Sequence, residues 1–373
     1  MIKRYIQQEI SKRLFKGKAI ILLGPRQSGK TTLINFILES RTEEKIILAG
    51  DEPDIRQLLT SPTSNKLKNI IGKSKIVFID EAQKIPQIGN TLKLFTDKIK
   101  NVQVIASGSS SFELASRTFE PLTGRKYEFY LLPLSFSELS NHFGNLEEKR
   151  QLEHRMIFGS YPEVISKPGE EKENLKLIAG SYLYKDIIAL ESINKPVLLE
   201  KILMALALQL GNEVSYSELG NLVGADRQTV EKYIDILEKA FIIFRLNALS
   251  RNQRNEIKKT KKIYFYDCGI RNAIIKNFLN LNSRNDTGKL WENYFISERR
   301  KLIYYKNLDA HSYFWRSTMK QEIDYIEEIN SKFNAYELKW NVKTKVRFPK
   351  TFFESYQGSD SHIINPDIYD EYL

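Results

Sequence analysis

Lys18-Ala19-Ile20-Ile21-Leu22-Leu23-Gly24-Pro25-Arg26-Gln27-Ser28-Gly29-Lys30-Thr31-Thr32 sets the architecture of the first third of this chain. A short apolar run ends at a glycine-bounded loop, and the helical pattern of residues 31–40 follows. The loop matches G-x-x-x-x-G-K-[ST] in a strand–loop–helix setting. Its glycines let the backbone turn tightly, so that successive N–H groups point inward around a phosphate. Lys30 is placed to reach the β and γ phosphates, and the Thr31 hydroxyl to ligate Mg²⁺. A helix beginning near Lys30 adds its positive end. Gly24, Pro25, Arg26, Gln27, Ser28, Gly29, Lys30, Thr31 and Thr32 are therefore expected to form an ATP site with Mg²⁺ as cofactor.

Further short β-rich runs lie at residues 45–51, 75–81 and 102–109, each ending in small or acidic residues. Short apolar runs separated by helical stretches predict a parallel sheet covered on both faces, so an α/β domain is expected first. The run Lys75–Ile79 carries a buried strand to Asp80-Glu81 at its C-terminal end, where α/β sheets place ligands. Asp80 is expected to hold Mg²⁺ through water, and Glu81 to orient and polarise the attacking water. A third strand ends in Ser107-Gly108-Ser109-Ser110-Ser111. Ser109, Ser110 or Ser111 is a candidate sensor of the γ phosphate. In Leu122-Thr123-Gly124-Arg125, Arg125 is a candidate arginine finger, in cis or from a neighbouring subunit.

Together GPRQSGKTTL, VFIDEAQKIP, ASGSSS, PLTGRKYEFYLLPLSFSEL and GSYPEVI resemble the bacterial and archaeal AAA-type ATPases that carry a C-terminal domain of unknown function. YLYKDI and KIYFYDCGIRNAI extend the resemblance over nearly the whole chain. It implies ATP machinery made of Lys30, Thr31, Asp80, Glu81, Ser109 and Arg125.

The 373 residues are enough for two or three cores, and 42% hydrophobic with 28% charged residues is a globular balance. Lys and Arg number 57 against 46 Asp and Glu, for a net charge of +11 that favours a polyanionic partner. The single cysteine, Cys268, excludes an intrachain disulfide and any cysteine metal cluster. No apolar run approaches the ~20 residues that span a bilayer. The charged N-terminus lacks an apolar signal core and is expected to be helical. A cytoplasmic protein with no membrane partner is the expectation.

The pattern predicts an ATPase domain over 1–144, a helical lid over 145–195, a winged helix over 196–284 and a small α/β domain over 285–373. For the winged helix, residues 215–219 begin a short helix, Gly220 to Gly224 break it, and Asp226 caps a second helix. That helix presents Arg227, Gln228, Thr229 and Lys232 near its N-terminus, where recognition helices meet base edges. A basic stretch including Arg245, Arg251, Arg254, Lys258, Lys259, Lys261 and Lys262 suits phosphate contact by a wing. DNA is the partner this implies. Winged helices also dock on proteins, and that alternative stays open.

In the tail, Trp291 to Phe295 opens a helix, and strands are expected over residues 322–326 and 335–340. Period-2 alternation puts Glu337 and Lys339 on one face, and pairing of the strands brings Asp324 beside Glu337. Glu292, Asp324, Glu337 and Lys339 are similar in order to the PD-(D/E)xK nucleases, with Ile323 where the usual proline precedes the aspartate. The resemblance implies Mg²⁺ among the carboxylates and a lysine orienting water. Whether such a tail keeps the chemistry or only the fold is left open by the residues.

The combined expectation is a Mg²⁺-dependent ATPase, as a possible homo-oligomer, whose nucleotide state governs DNA engagement. An ATP-regulated DNA nuclease and a nucleotide-binding signalling or scaffold protein are the alternatives.

Overall fold

A computed structural model describes residues 2–109, 122–182, 195–250 and 261–373. The chain divides into two compact units, the first running to Pro133 and the second taking most of Leu134–Leu373. The first unit thus closes short of the expected residue 144.

In the first unit, helix α1 (Ile6–Arg13) precedes strand β1 (Ala19–Leu23) and helix α2 (Lys30–Glu39). Strand β2 (Lys45–Ala49), helices α3 (Pro53–Leu59) and α4 (Ser64–Ile71), and strand β3 (Ile76–Asp80) follow. Helix α5 (Ile88–Lys98) and strands β4 (Gln103–Gly108) and β5 (Lys126–Tyr130) complete it. The strands form one parallel sheet in the order β2-β3-β4-β1-β5. β1 and β4 are buried along their whole length and β3 up to Ile79, as the unbroken Ile/Leu/Val/Phe runs require when helices cover both faces. The edge strands β2 and β5 carry the mixed sequences and are partly exposed. Because the strands are parallel, the loops after β1, β3 and β4 open at one end of the sheet.

The second unit opens with helices α6 (Phe136–Phe143), α7 (Asn145–Arg150), α8 (Leu152–Phe158), α9 (Pro162–Ser166) and α10 (Glu171–Leu177). Next come helix α11 (Pro196–Leu208), strand β6 (Glu213–Val214), helices α12 (Tyr216–Val223) and α13 (Arg227–Lys239), and strands β7 (Ile243–Ala248) and β8 (Lys261–Phe265). Helix α14 (Cys268–Ile274) and the long helix α15 (Thr287–Tyr305) lead to strands β9 (Ala310–Arg316), β10 (Glu322–Ile329) and β11 (Lys332–Leu338). Helix α16 (Lys350–Ser355) and strand β12 (Asp360–Ile364) close the order.

The seven strands among the described residues of this unit belong to one sheet, ordered β12-β11-β10-β9-β7-β8-β6. The division expected at residue 285 is therefore not a break in the sheet, since β7 and β9 pair in parallel across it, Asn247 opposite Tyr313. The break expected over Gly220 to Gly224 falls at the far end of that span. α12 runs through Gly220 and stops at Gly224, whose left-handed φ of 75° ends the helix. Asp226 caps α13 as expected, its Oδ1 accepting from Thr229 N at 2.8 Å.

α15 is buried nearly all round from Leu290 to Arg299, including polar positions that each need a partner. Arg299 pairs with Glu327, and Lys301 with Glu298. The stretches GSYPEVI and KIYFYDCGIRNAI prove to be architecture. Asp267 caps α14 and accepts from Ser160 N at 2.7 Å, while Asn272 Nδ2 donates to the carbonyls of Met156 and Ile157. A Cβ on Gly159 would lie 2.0 Å from the Asp267 carboxylate, so only glycine fits there. Cys268 is buried in the same packing, as a small core residue.

Candidate nucleotide site and the other predicted clusters

The loop after β1 is shaped by what runs beside it. A Cβ on Gly24 would meet the Leu131 carbonyl oxygen at 2.2 Å, so the strand exit passes β5 only as glycine. Gly29 is left-handed, φ 91°, and starts α2 directly at Lys30. Lys30 is only 6% exposed, and its Nζ donates to the carbonyls of Gly24 and Pro25 at 3.0 and 2.9 Å. The ammonium thus lies over the interior of the loop. Ser28 Oγ and Gln27 Oε1 are buried with no hydrogen-bond partner among the described residues. A buried hydroxyl without a partner is costly unless a ligand completes it, and a phosphate oxygen has the acceptor it needs.

Across the sheet end, Thr31 Oγ1 donates to Asp80 Oδ2 at 2.8 Å. Asp80 Oδ1 accepts from Glu81 N at 3.1 Å and from the Ser107 hydroxyl. The order β3-β4-β1 explains this: Ser107, on the strand between, fixes the carboxylate that faces Thr31. Glu81 turns out of its strand in a left-handed conformation, φ 48°, and its Oε2 accepts from Gln83 Nε2. The same Gln83 nitrogen donates to Ser109 Oγ at 3.1 Å. Among the candidate sensors Ser109 is thereby joined to Glu81, while Ser110 and Ser111 lie outside the described residues.

Arg125 is not brought to this end. Its carbonyl accepts from Ala19 N, so it enters β5 level with the start of β1. A five-residue strand separates it from the loop, a span of about 16 Å at ~3.3 Å per residue. On its own chain it pairs with Asp97 at 2.7 Å. Of the two roles expected for it, the one in cis is removed by this placement.

Residues 16–140 match the AAA domain family, residues 149–287 a domain of unknown function designated DUF8612, and residues 287–367 a second one designated DUF4143. Among solved structures, a Walker-type ATPase of Pyrococcus abyssi is similar over 74% of this chain and 96% of its own, at 16% identity and a TM-score of 0.50. The first unit has the fold of a P-loop ATPase domain. Over 341 residues, 90% of this chain and 74% of the relative, the chain is 24% identical to an uncharacterised protein of Mycobacterium tuberculosis. An uncharacterised protein of Haemophilus influenzae is 26% identical over 76% of each chain. No described helix is long and apolar enough to cross a membrane.

Sequence reasoning missed three residues around the P-loop. Gln83 and Ser107 hold the two acids, and Arg4 braces the loop from outside. Arg4 is buried, and its guanidinium donates to the carbonyls of Ser28 at 3.0 Å and Leu132 at 2.6 Å. Ser107 stood in the serine run, outside the three serines singled out. Nothing in the sequence around Arg4 announced its reach.

On α13, Arg227, Gln228 and Lys232 are exposed, whereas the Thr229 hydroxyl donates to Asp226 Oδ2 at 2.7 Å and serves the helix cap. Arg251, Arg254, Lys258 and Lys259 lie outside the described residues. Two other members of the basic stretch are corrected. Arg245 pairs with Asp235 and Glu238, and Lys262 is buried at 1% exposure.

In the tail, β10 and β11 pair antiparallel with Tyr325 opposite Tyr336, which sets Asp324 beside Glu337 as expected. The register of β10 against β9 shifts between Ile323 and Ile326, so Asp324 sits in an irregularity of the kind that re-aims side chains. Lys339 Nζ lies 3.1 Å from Asp324 Oδ2 and 2.7 Å from Glu337 Oε2. Burial opposes the Asp324 charge, but Lys339 and Lys262 outweigh it and hold the carboxyl below its usual value. Burial and the Asp324 charge push Glu337 the other way, up to about 7. Glu292 does not join them as a free ligand. Its Oε1 takes Lys262 at 3.2 Å and the Tyr264 hydroxyl, and its Oε2 takes Lys289 at 2.9 Å. Among the described residues no group of three or more acidic, histidine or cysteine side chains is arranged to hold a metal ion.

Proposed function

We propose that the chain is a Mg²⁺-dependent ATPase whose nucleotide state governs its engagement with DNA. The observation that carries the hydrolytic half is the line Thr31–Asp80–Ser107, set beside the buried Lys30 and the unpartnered Ser28 hydroxyl. Thr31 and Asp80 offer the hard oxygen donors that Mg²⁺ takes, and when bound the ion neutralises phosphate charge. Lys30 exchanges its two backbone carbonyl partners for phosphate oxygens. Ser28 Oγ and the loop amides hold the phosphates in place. Glu81 accepts the proton of the attacking water, and Gln83 together with Ser109 fixes the carboxylate that does so. Arg125 serves, on this reading, only a neighbouring copy. Phosphate release is the test: Lys30→Ala is expected to lose ATP binding, and Glu81→Gln to keep binding while turnover falls about 100-fold or more. Unchanged turnover in Glu81→Gln removes Glu81 from the role.

The DNA half rests on element order. The order α11-β6-α12-α13-β7-β8, with β6 paired to β8, supports the reading of a winged helix here. The exposed Arg227, Gln228 and Lys232 on α13 are the groups for base and phosphate contact. In a mobility shift with duplex DNA, affinity should fall steeply with salt and weaken in Arg227→Ala. A salt-independent or absent shift favours a protein partner on this face.

A further inference from the structure

We infer that the carboxylate cluster of the tail carries its own cation, the Lys262 ammonium, where a nuclease of this arrangement takes a divalent metal. Nothing in this depends on the nucleotide site. Lys262 lies on β8, at 1% exposure, and its Nζ pairs with Glu292 at 3.2 Å and with Glu322. The charge of Asp324 acts on it as well, and the Phe314 ring lies 5.3 Å away. The ammonium therefore draws together the helix carboxylate and the first strand carboxylates, which is the task of the metal in the expected arrangement.

Other oxygens of the cluster are also committed. Glu292 takes Lys289 and Tyr264, while Asp324 Oδ2 accepts from Leu338 N at 3.0 Å and from Lys339. Counting charges, Glu292, Glu322, Asp324 and Glu337 face Lys262, Lys289 and Lys339. Four acids against three ammonium groups leave a single negative charge. A divalent ion entering this cluster would have to expel a buried ammonium that has no water to move into. Such an exchange leaves an unpaired charge inside the protein, the costliest outcome for a buried ion pair. The residues thus do not fit a metal-dependent nuclease, although their order along the chain matches one. Lysine suits the place because its charge is a compact point on a flexible stem. Neither Glu-x-Lys spacing nor strand periodicity signals this, because Lys262 lies far upstream, in a stretch read as a wing.

The test is Mn²⁺ binding by the full chain without nucleotide, measured by calorimetry on wild type, Asp324→Asn, Lys262→Met and the double variant. Any binding at the P-loop is common to all four and cancels. Wild type and Asp324→Asn are expected to bind alike, and neither should nick supercoiled plasmid with Mn²⁺. Lys262→Met keeps the apolar stem and is expected to gain Mn²⁺ affinity of about tenfold or more, lost again in the double variant. Mn²⁺ binding or plasmid nicking in wild type that Asp324→Asn removes overturns the inference. So does a folded Lys262→Met that binds no more Mn²⁺ than wild type. The wild-type comparison decides by itself if Lys262→Met does not fold.

Discussion

Thr31 Oγ1 donates to Asp80 Oδ2 at 2.8 Å, joining the start of α2 to the end of β3 across the intervening strand β4. Two hard oxygen donors, one from a helix and one from a strand, meet at this bond. Replacing Thr31 with Ala removes one of them and frees Asp80 on that side. ATP turnover in Thr31→Ala should drop about tenfold or more and require higher Mg²⁺ for half-maximal rate, measured as phosphate release across a Mg²⁺ series.

Gln83 spans Glu81 and Ser109 with one nitrogen. Its loss leaves the Glu81 side chain without a fixed direction while the P-loop is untouched. Gln83→Ala should therefore lower kcat about tenfold with KM nearly unchanged, because the interaction acts on orientation. Equal falls in binding and turnover would instead make Gln83 part of the nucleotide cradle.

Arg4 holds the carbonyls of Ser28 and Leu132 with one planar guanidinium. Both are buried acceptors, and cutting them loose costs about 1–3 kcal/mol each at the upper end of ordinary hydrogen-bond losses. Arg4→Ala should lower the melting temperature of the first unit, and ATP should restore part of the loss. Lys at this position should not rescue it, because a single ammonium lacks the fork that spans both oxygens.

Arg125 enters β5 at the opposite end of the sheet from Gly24. Any contribution to hydrolysis must come from a second copy. Turnover per chain should then rise with protein concentration, and mixing Arg125→Ala with Lys30→Ala should recover activity that neither variant has alone. A rate independent of concentration confines Arg125 to its ion pair with Asp97.

Glu337 in the folded chain holds its proton up to about pH 7, driven by burial and by the Asp324 charge. Between the ordinary glutamate value and there, the folded state binds a proton that the unfolded state has released. The stability this group contributes is whole below the ordinary value and is lost as pH rises through about 7. Glu337→Gln has no such dependence. The melting temperature of wild type relative to Glu337→Gln should therefore decline from pH 5 to pH 8, and a flat difference would place the proton elsewhere.

Local patterns made the nucleotide site legible. The glycine spacing, the apolar strand before it and the acidic pair after β3 each follow from short-range chemistry, and all three meet because parallel strands deliver their C-terminal ends to one side. The same logic placed Asp324, Glu337 and Lys339 together, since period-2 alternation and one hairpin register are enough. Arg125 escaped it. Its motif identifies a residue type, whereas which end of β5 it occupies depends on where the strand joins the sheet.

By itself the sequence determined the apolar central strands of the first sheet, the P-loop, the capping of α13 by Asp226 and the face shared by Glu337 and Lys339, all set by residues close in the chain. Only the tertiary structure decided that the middle and tail regions share one sheet, that Arg4 braces Ser28 and that Lys262 lies among the carboxylates. Each of these joins residues tens to hundreds of positions apart. Burial of the intervening surface brings them together, and once water is gone every polar group must find a partner that local pattern does not name.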